Sequence, residues 1–288
     1  MSKVKGIMYT LISSILFGIM PFLTKYAYLG GANAVTTLLL RFLIAAVAIY
    51  FILNIKNINL RIDRNIFLEI LVYGAFLYAL NTIWLYESYN YIPTGIATTL
   101  HFTYPVFVML AMITVFKEKI GTNKVISMVF LFFGLYSLVG MNWTNLDFLG
   151  IIFSAGSGLI YAGYIVSAEK CSFSKLDPYV TIFYLSLLSA IFLFIYGFST
   201  NSLTFKMDTS SYLLIIIISL FCTVLALVTF LKGIKLIGPS NTAMLSTLEP
   251  IVSILIGIIV LHEVLSLEMA FGSIMIIISV FLVATENC

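Results

Sequence analysis

The chain has 288 residues, of which 61% are hydrophobic and 9% are charged, and its mean hydropathy is +1.12. Soluble globular proteins carry a charge on roughly a quarter of their residues, so this composition predicts an integral membrane protein. The net charge of +3 does not indicate a nucleic-acid partner, because the basic residues lie between apolar runs and form no basic stripe.

Ten apolar segments follow one another along the chain, each close to the roughly 20 residues that a spanning helix needs. They cover residues 6–25, 33–54, 66–88, 95–116, 122–141, 147–168, 178–198, 212–232, 241–261 and 266–284. The segments are continuously apolar, whereas the strands of a membrane barrel alternate apolar and polar residues. The sequence therefore predicts an all-α integral membrane protein with ten transmembrane helices, in which the lipid bilayer surrounds nearly the whole chain.

The first segment is interpreted as a span, because it continues uncharged from Gly6 to Thr24 and lacks the small-residue cleavage site of a signal peptide. Orientation follows from the Lys and Arg residues of the short loops. With a cytoplasmic N-terminus, only Lys25 and Lys206 lie on the outer side. The inner side carries Lys3, Lys5, Lys56, Arg61, Arg64, Lys117, Lys119, Lys124, Lys170, Lys175, Lys232 and Lys235. We expect a multi-pass protein of the cell membrane with both termini in the cytoplasm.

A repeated stretch divides the chain into two halves. The segment "TYPVFVMLAMITVFKE", residues 103–118, aligns with "LEPIVSILIGIIVLHE", residues 248–263, at an offset of 145 residues. Each half contains five predicted spans, so the second half must enter the membrane from the opposite side. We expect two inverted five-helix repeats, residues 1–143 and 144–288, around a central cavity, a plan that recurs in secondary transporters.

Three features together resemble the EamA type of the drug/metabolite transporter superfamily. They are the proline and the glutamate thirteen residues apart in spans four and nine, the pair Arg41 and Phe42 in span two, and the two five-helix halves. The resemblance covers essentially all 288 residues. It implies a ten-helix fold with a central cavity that exchanges small metabolites by alternating access, and the family includes exporters of amino acids and other metabolites.

Three ionisable residues lie deep in the predicted spans, where a charge is costly without a partner or a water-filled cavity. Glu249 lies about 12 Å along the axis of span nine, where its carboxylate either takes up protons and cationic groups or forms an ion pair with Arg41 or another basic residue. Arg41 either binds a substrate carboxylate or clamps the structure. His101 either binds substrate and protons or forms a hydrogen bond between helices.

Prolines and terminal glutamates of the repeated stretch are interpreted as architecture. Pro250 and Pro105 are expected to kink their helices and to leave the carbonyls of Ser246 and His101 without their usual partners. Glu118 and Glu263 end spans four and nine, where each is expected to anchor a short loop. Tyr104 is the uncharged counterpart of Glu249.

Two polar and aromatic helix faces are expected to line the cavity. The face of span three comprises Tyr78, Asn81 and Trp84, and the face of span six comprises Ser157, Tyr161 and Tyr164. The three cysteines, Cys171, Cys222 and Cys288, match no metal or disulfide spacing. We expect no metal and no cofactor.

These features predict a secondary active transporter of small organic metabolites that exports amino acids or related zwitterions, with protons as the candidate coupling ion. These features are consistent with a monomer. One alternative is efflux of lipophilic or quaternary cations, and another is a passive channel. An intramembrane enzyme is a further alternative, although the sequence shows no H-E-x-x-H pair, nucleophile elbow or paired aspartates, and ATP-driven pumping would need a P-loop that is missing.

Overall fold

The computed structural model describes residues 2–88, 90–92, 94–119, 121–139, 147–261 and 266–285. Within these ranges the chain forms helices and turns and contains no strand. The fold is therefore all-α over the described residues, as the composition predicts.

The described residues of the first half form seven α-helices. They are α1 (Ser2–Leu29), α2 (Ala34–Ile55), α3 (Arg64–Glu69), α4 (Leu77–Ser88), α5 (Thr94–His101), α6 (Tyr104–Thr114) and α7 (Thr122–Val139). A π-helical segment, Ile70–Phe76, joins α3 to α4, so that Arg64–Ser88 is one continuous membrane-length element. Asn33 begins α2 by accepting a hydrogen bond from the backbone N–H of Thr36.

The described residues of the second half form six further α-helices. They are α8 (Phe148–Lys170), α9 (Pro178–Ser199), α10 (Thr209–Ser219), α11 (Ala226–Leu245), α12 (Glu249–Leu261) and α13 (Leu267–Thr285). A π-helical segment, Leu220–Leu225, joins α10 to α11, and a short 3₁₀ turn, Ser246–Leu248, joins α11 to α12. Asp147 and Asp177 cap α8 and α9 through their carboxylates.

Eight helical segments of the described chain are long and apolar enough to cross a membrane, and the apolar helix Thr122–Leu138 is shorter. One of the eight, Thr209–Val260, has 52 residues and includes predicted spans eight and nine. Inside it Gly238 adopts φ 80° and ψ 165° and is followed by Pro239. This backbone conformation is not helical, so the helix turns sharply at Gly238. Residues with a Cβ avoid this conformation, which suits the position to glycine.

The sequence predicts that the prolines of the repeated stretch kink their helices. In the structure both prolines lie at helix starts instead. Pro105 and Pro250 are the second residues of α6 and α12, where a missing backbone N–H costs nothing. Pro250 has no N–H to donate to the Ser246 carbonyl, and the backbone N–H of Glu249 donates to this carbonyl instead. Spans four and nine are thus each broken in the middle, at residues 102–103 and 246–248.

Equivalent elements of the two halves begin about 145 residues apart. This offset relates α3 to α10, α5 to the segment after Gly238, α6 to α12 and α7 to α13. The packing has the same pattern, since α2 packs against α9, α7 against α13, α1 against α11 and α4 against α8. These contacts join the two halves along their whole length.

Candidate functional site

A cavity of about 810 Å³ lies between the two halves. Along α1 its lining residues run from Phe17 in the middle of the helix to Leu29 at its end, and the side chains of Lys25 and Leu29 are exposed. The cavity therefore extends from the middle of the protein to the surface at which α1 ends. Seven of the predicted substrate-binding or coupling residues line it, and so does the predicted kink residue Pro250; the seven are Arg41, Tyr78, Asn81, His101, Tyr104, Tyr161 and Glu249.

Glu249 opens α12 directly after the break in span nine and is half-buried against the cavity. Among the described residues, the ion pairs within 4.0 Å are Lys124 with Glu118 and Lys170 with Glu169. The predicted alternative of an ion pair between Glu249 and Arg41 is therefore not formed. A carboxylate beside a cavity without a cationic partner is available to a ligand.

Arg41 extends from α2 into the contact between the halves, with 4% of its surface exposed. Its Nε donates to Oγ1 of Thr223 at 2.7 Å, and its Nη2 donates to the hydroxyl of Tyr78 at 3.4 Å. The guanidinium carbon also lies 4.9 Å from the centre of the Phe42 ring, an attractive arrangement for a cation. Arg41 is thus a structural clamp that still forms part of the cavity wall.

His101 ends α5 at the break in span four and is held by α8. Its Nδ1 lies 2.8 Å from the hydroxyl of Ser157, and that hydroxyl lies 2.6 Å from the Ser154 carbonyl, to which it donates. A hydroxyl has one hydrogen, so Ser157 accepts from Nδ1–H of His101. In the neutral ring this leaves Nε2 as the acceptor. Ser157 positions His101 and does not line the cavity itself.

Neighbouring tyrosine rings form a connected part of the cavity wall. The ring centre of Tyr161 lies 4.9 Å from that of Tyr104 and 5.5 Å from that of His101. Tyr164 supports this wall from behind, with its ring centre 5.0 Å from that of Tyr78 and 5.9 Å from that of Tyr161. The predicted aromatic lining is therefore present, although Tyr164 does not line the cavity.

Trp84 lies away from the cavity that it was expected to line. Its ring centre is 5.5 Å from that of Phe153 on α8, and its indole covers Gly156. At about 100° per residue, six residues separate Trp84 from Tyr78 by roughly a third of a turn. Tyr78 and Asn81 face the cavity, and Trp84 instead packs α4 against α8.

Sequence reasoning missed Thr223, Phe102 and Lys25. Thr223 holds Arg41, whereas Phe102 and Lys25 line the cavity. Thr223 lies 145 residues after Tyr78, so Arg41 bridges equivalent positions of the two halves. The repeat offset was the signal that would have found it.

The remaining candidate groups among the described residues do not line the cavity. No three histidine, cysteine or acidic side chains in the described part of the chain are grouped so as to hold a metal. Cys171 and Cys222 are free thiols, and burial raises the pKa of Cys171, which lies in a loop. Glu118 pairs with Lys124 at 3.1 Å. His262, Glu263 and Cys288 lie outside the described residues.

Comparisons with known proteins place this architecture among transporters. The family model described as the EamA-like transporter family matches residues 4–140 and 148–285. The chain is 29% identical over 243 residues to the uncharacterized transporter sll1319 of Synechocystis sp., covering 81% of this chain and 71% of the relative. It is 24% identical over 284 residues to the uncharacterized transporter YcbK of Bacillus subtilis, covering 93% and 88%.

A solved structure titled "Crystal structure of protein" has the same fold. It matches with a TM-score of 0.84 over 98% of both chains, at 16% sequence identity. A likeness at this identity concerns the arrangement of helices and not the solute that is carried.

Proposed function

Because the chain belongs to the EamA-like transporter family, we propose that it is a secondary active transporter that moves small organic metabolites across the cell membrane by alternating access. The observation that carries the proposal is the carboxylate of Glu249, which faces a cavity of about 810 Å³ and has no ion-pair partner within 4.0 Å among the described residues. The cavity reaches one surface, as an access path for a solute requires.

The proposed membrane topology is ten spans in two inverted five-helix repeats. The turn at Gly238 divides Thr209–Val260 into two spans, and the shorter helix Thr122–Leu138 supplies another. The two matches of the family model and the common offset of the helix starts support the repeat. In this topology both termini are cytoplasmic, and the cavity opens to the outside.

The proposed substrates are amino acids or related zwitterions. The cavity wall contains a guanidinium, Arg41, and a carboxylate, Glu249, that do not pair with each other. A solute with an ammonium group and a carboxylate satisfies both. Arginine has five N–H donors, and the two hydrogen bonds to Thr223 and Tyr78 leave others for a substrate carboxylate.

The second candidate substrate class is lipophilic or quaternary cations. Tyr78, Tyr104 and Tyr161 line the same cavity as Glu249, and aromatic faces attract cations that cannot donate hydrogen bonds. Arg41 donates hydrogen bonds to Thr223 and Tyr78, so fewer of its N–H groups remain for a substrate carboxylate. These bonds favour the cation class more than the sequence alone does.

Counterflow into proteoliposomes that contain the purified protein tests the proposal. Vesicles loaded with an unlabelled amino-acid mixture are diluted into labelled amino acids, and quaternary amines are then added as competitors. We expect saturable counterflow that other amino acids inhibit and quaternary amines do not. Inhibition by quaternary amines alone selects the second class, and flux that neither saturates nor exchanges contradicts a carrier mechanism.

A further inference from the structure

A second cluster of side chains lies at the face of the protein opposite the cavity mouth. At this face α2 ends with Lys56 as its cap, α9 begins with Pro178, and α11 approaches its turn at Gly238. The N-terminal part of α1 contributes Tyr9. We call Lys56, Lys232, Tyr9 and Tyr179 the lysine–tyrosine cluster.

Two lysines of this cluster share one aromatic ring. The Nζ atom of Lys56 lies 5.3 Å from the centre of the Tyr179 ring, and that of Lys232 lies 5.7 Å from the same centre. Lys232 also lies 5.3 Å from the centre of the Tyr9 ring. Aromatic faces attract ammonium groups, and here two positive charges lie within 5.7 Å of the centre of one ring.

No carboxylate of the described residues lies within ion-pair distance of either ammonium group, since the ion pairs formed are Lys124 with Glu118 and Lys170 with Glu169. Lys170 shows the contrast: its Nζ lies 5.2 Å from the Phe116 ring centre, and it also has Glu169 at 3.0 Å. The two lysines of the lysine–tyrosine cluster lie against aromatic rings but have no carboxylate partner among the described residues.

Asp177, two residues before Tyr179 in the chain, is already engaged. Asp177 caps α9 by accepting the backbone N–H of Tyr179 at 2.9 Å. It also faces Lys235, whose ammonium group donates to the carbonyl of Leu176. The charge of Asp177 is therefore shared with a third lysine, and the cluster keeps an excess of positive charge that an anion would neutralise.

Apolar side chains continue the cluster toward the middle of the membrane. Ile12 lies three residues after Tyr9 on α1, and Leu225 lies seven residues before Lys232, so each shares the helix face of its cluster residue. Both are exposed, at 39% and 42% of their surface. Since α11 packs against α1, these two exposed apolar side chains lie on neighbouring helices, one on the face of Tyr9 and the other on the face of Lys232.

We propose that the lysine–tyrosine cluster binds the phosphate of an anionic phospholipid, with Lys56 and Lys232 contacting the phosphate oxygens and the acyl chains lying on Ile12 and Leu225. A lipid fits better than a soluble anion, because the positive site and the apolar surface are adjacent at a membrane face. Bound there, the lipid bridges α2 and α11 and stabilises the closed end of the transporter.

The test is thermal unfolding of the purified full-length protein in an uncharged detergent, titrated with phosphatidylglycerol. Phosphatidylcholine and inorganic phosphate are the comparison additives. We expect phosphatidylglycerol alone to raise the melting temperature, because binding to the folded state stabilises it by mass action. In Lys56→Gln with Lys232→Gln, half-saturation should require about thirtyfold more lipid.

Arg61→Gln with Arg64→Gln is the matched control, since it removes the same charge from exposed positions near the same end of α2. Its titration should equal that of the unchanged protein. Native mass spectrometry of bound lipid gives a second measurement, and Tyr179→Leu keeps both charges while removing the shared ring. An equal loss in the control, an unchanged titration in the lysine variant, or an equal shift with inorganic phosphate would overturn the proposal.

Discussion

Glu249 and Arg41 lie in the same cavity wall but differ in what holds them. Arg41 donates hydrogen bonds to Thr223 and Tyr78, whereas Glu249 has no cation within 4.0 Å in the described chain. A charge that the fold satisfies contributes to stability, and one that it leaves open is available to a ligand. Arg41 is therefore mainly structural, with donors left for a substrate carboxylate, and Glu249 is the proposed site of solute or proton binding.

Replacement of Glu249 by Gln should impair transport without lowering stability. Losing the charged partner of a solute should raise the half-saturating concentration about tenfold or more, and the part of the transport rate that varies with pH should disappear. Glu268→Gln is the control, since Glu268 is exposed. Counterflow rates from pH 5 to 9 provide the measurement. A Gln variant with the unchanged rate and pH profile would rule out coupling through Glu249.

Arg41 and Thr223 should behave as one energetic unit. Thr223→Val removes the acceptor of Nε, and Arg41→Lys keeps the charge but loses the fork that reaches both Thr223 and Tyr78. Each change should cost about 1.5–3 kcal/mol of folding free energy, and the double variant should cost clearly less than their sum. Thermal or denaturant unfolding of the four proteins measures this coupling. Strict additivity of the two free-energy changes would show that the hydrogen bond between Arg41 and Thr223 contributes nothing.

At the scale of elements, the breaks in spans four and nine place polar backbone and side chains in the middle of the molecule. His101 ends α5 and Glu249 begins α12, and both face the cavity. Irregular backbone at membrane depth is tolerated where it borders protein or a water-filled cavity. The breaks thus place His101 and Glu249 at the cavity. The prolines that follow them start new helices without loss of a hydrogen bond.

Close packing of α8 against the break in span four depends on Gly158. A Cβ at this position would come within 2.7 Å of the His101 carbonyl oxygen. Gly158→Ala should therefore displace α5 and cost about 1–3 kcal/mol. Gly163→Ala on the same helix is the control, because its Cβ would meet only Leu77 Cδ1 at 3.4 Å. Melting temperatures of the two variants provide the comparison, and equal values would contradict the contact.

At the scale of the whole molecule, the cavity reaches one face, while hydrogen bonds close the other. At the closed end Glu118 pairs with Lys124 at 3.1 Å and accepts a hydrogen bond from Ser240, just after the turn at Gly238, at 3.3 Å. This cluster joins the end of span four to the start of span nine. Alternating access requires these contacts to separate when the cavity opens to the other side.

Thiol labelling of intact cells should locate the open side. In a background without the three natural cysteines, Ser253→Cys lines the cavity, whereas Ser279→Cys is fully buried elsewhere. With cytoplasmic termini, a membrane-impermeant reagent should modify Ser253→Cys from outside and leave Ser279→Cys unmodified. Labelling of Ser253→Cys only after the membrane is permeabilised would show that the cavity opens to the cytoplasm. A reporter fused to either terminus gives an independent reading of orientation.

The sequence by itself determined which segments are helical and apolar, where the two copies of the repeated stretch lie, and the family to which the chain belongs. These properties depend on local runs of residues, because burial in lipid and the hydrogen bonds of a helix act on each segment separately. Most of the candidate site also followed from the sequence, since polar side chains in a span must face the protein interior or water.

Only the tertiary structure decided which of those side chains meet. Arg41 bonds to Thr223 across 182 residues, Trp84 packs α4 against α8, and Gly238 turns a continuous apolar segment. The reason is geometric: rotation of about 100° per residue fixes the direction of each side chain, and the packing of distant helices fixes what stands opposite. Glu249 faces a cavity, and not Arg41, for this reason.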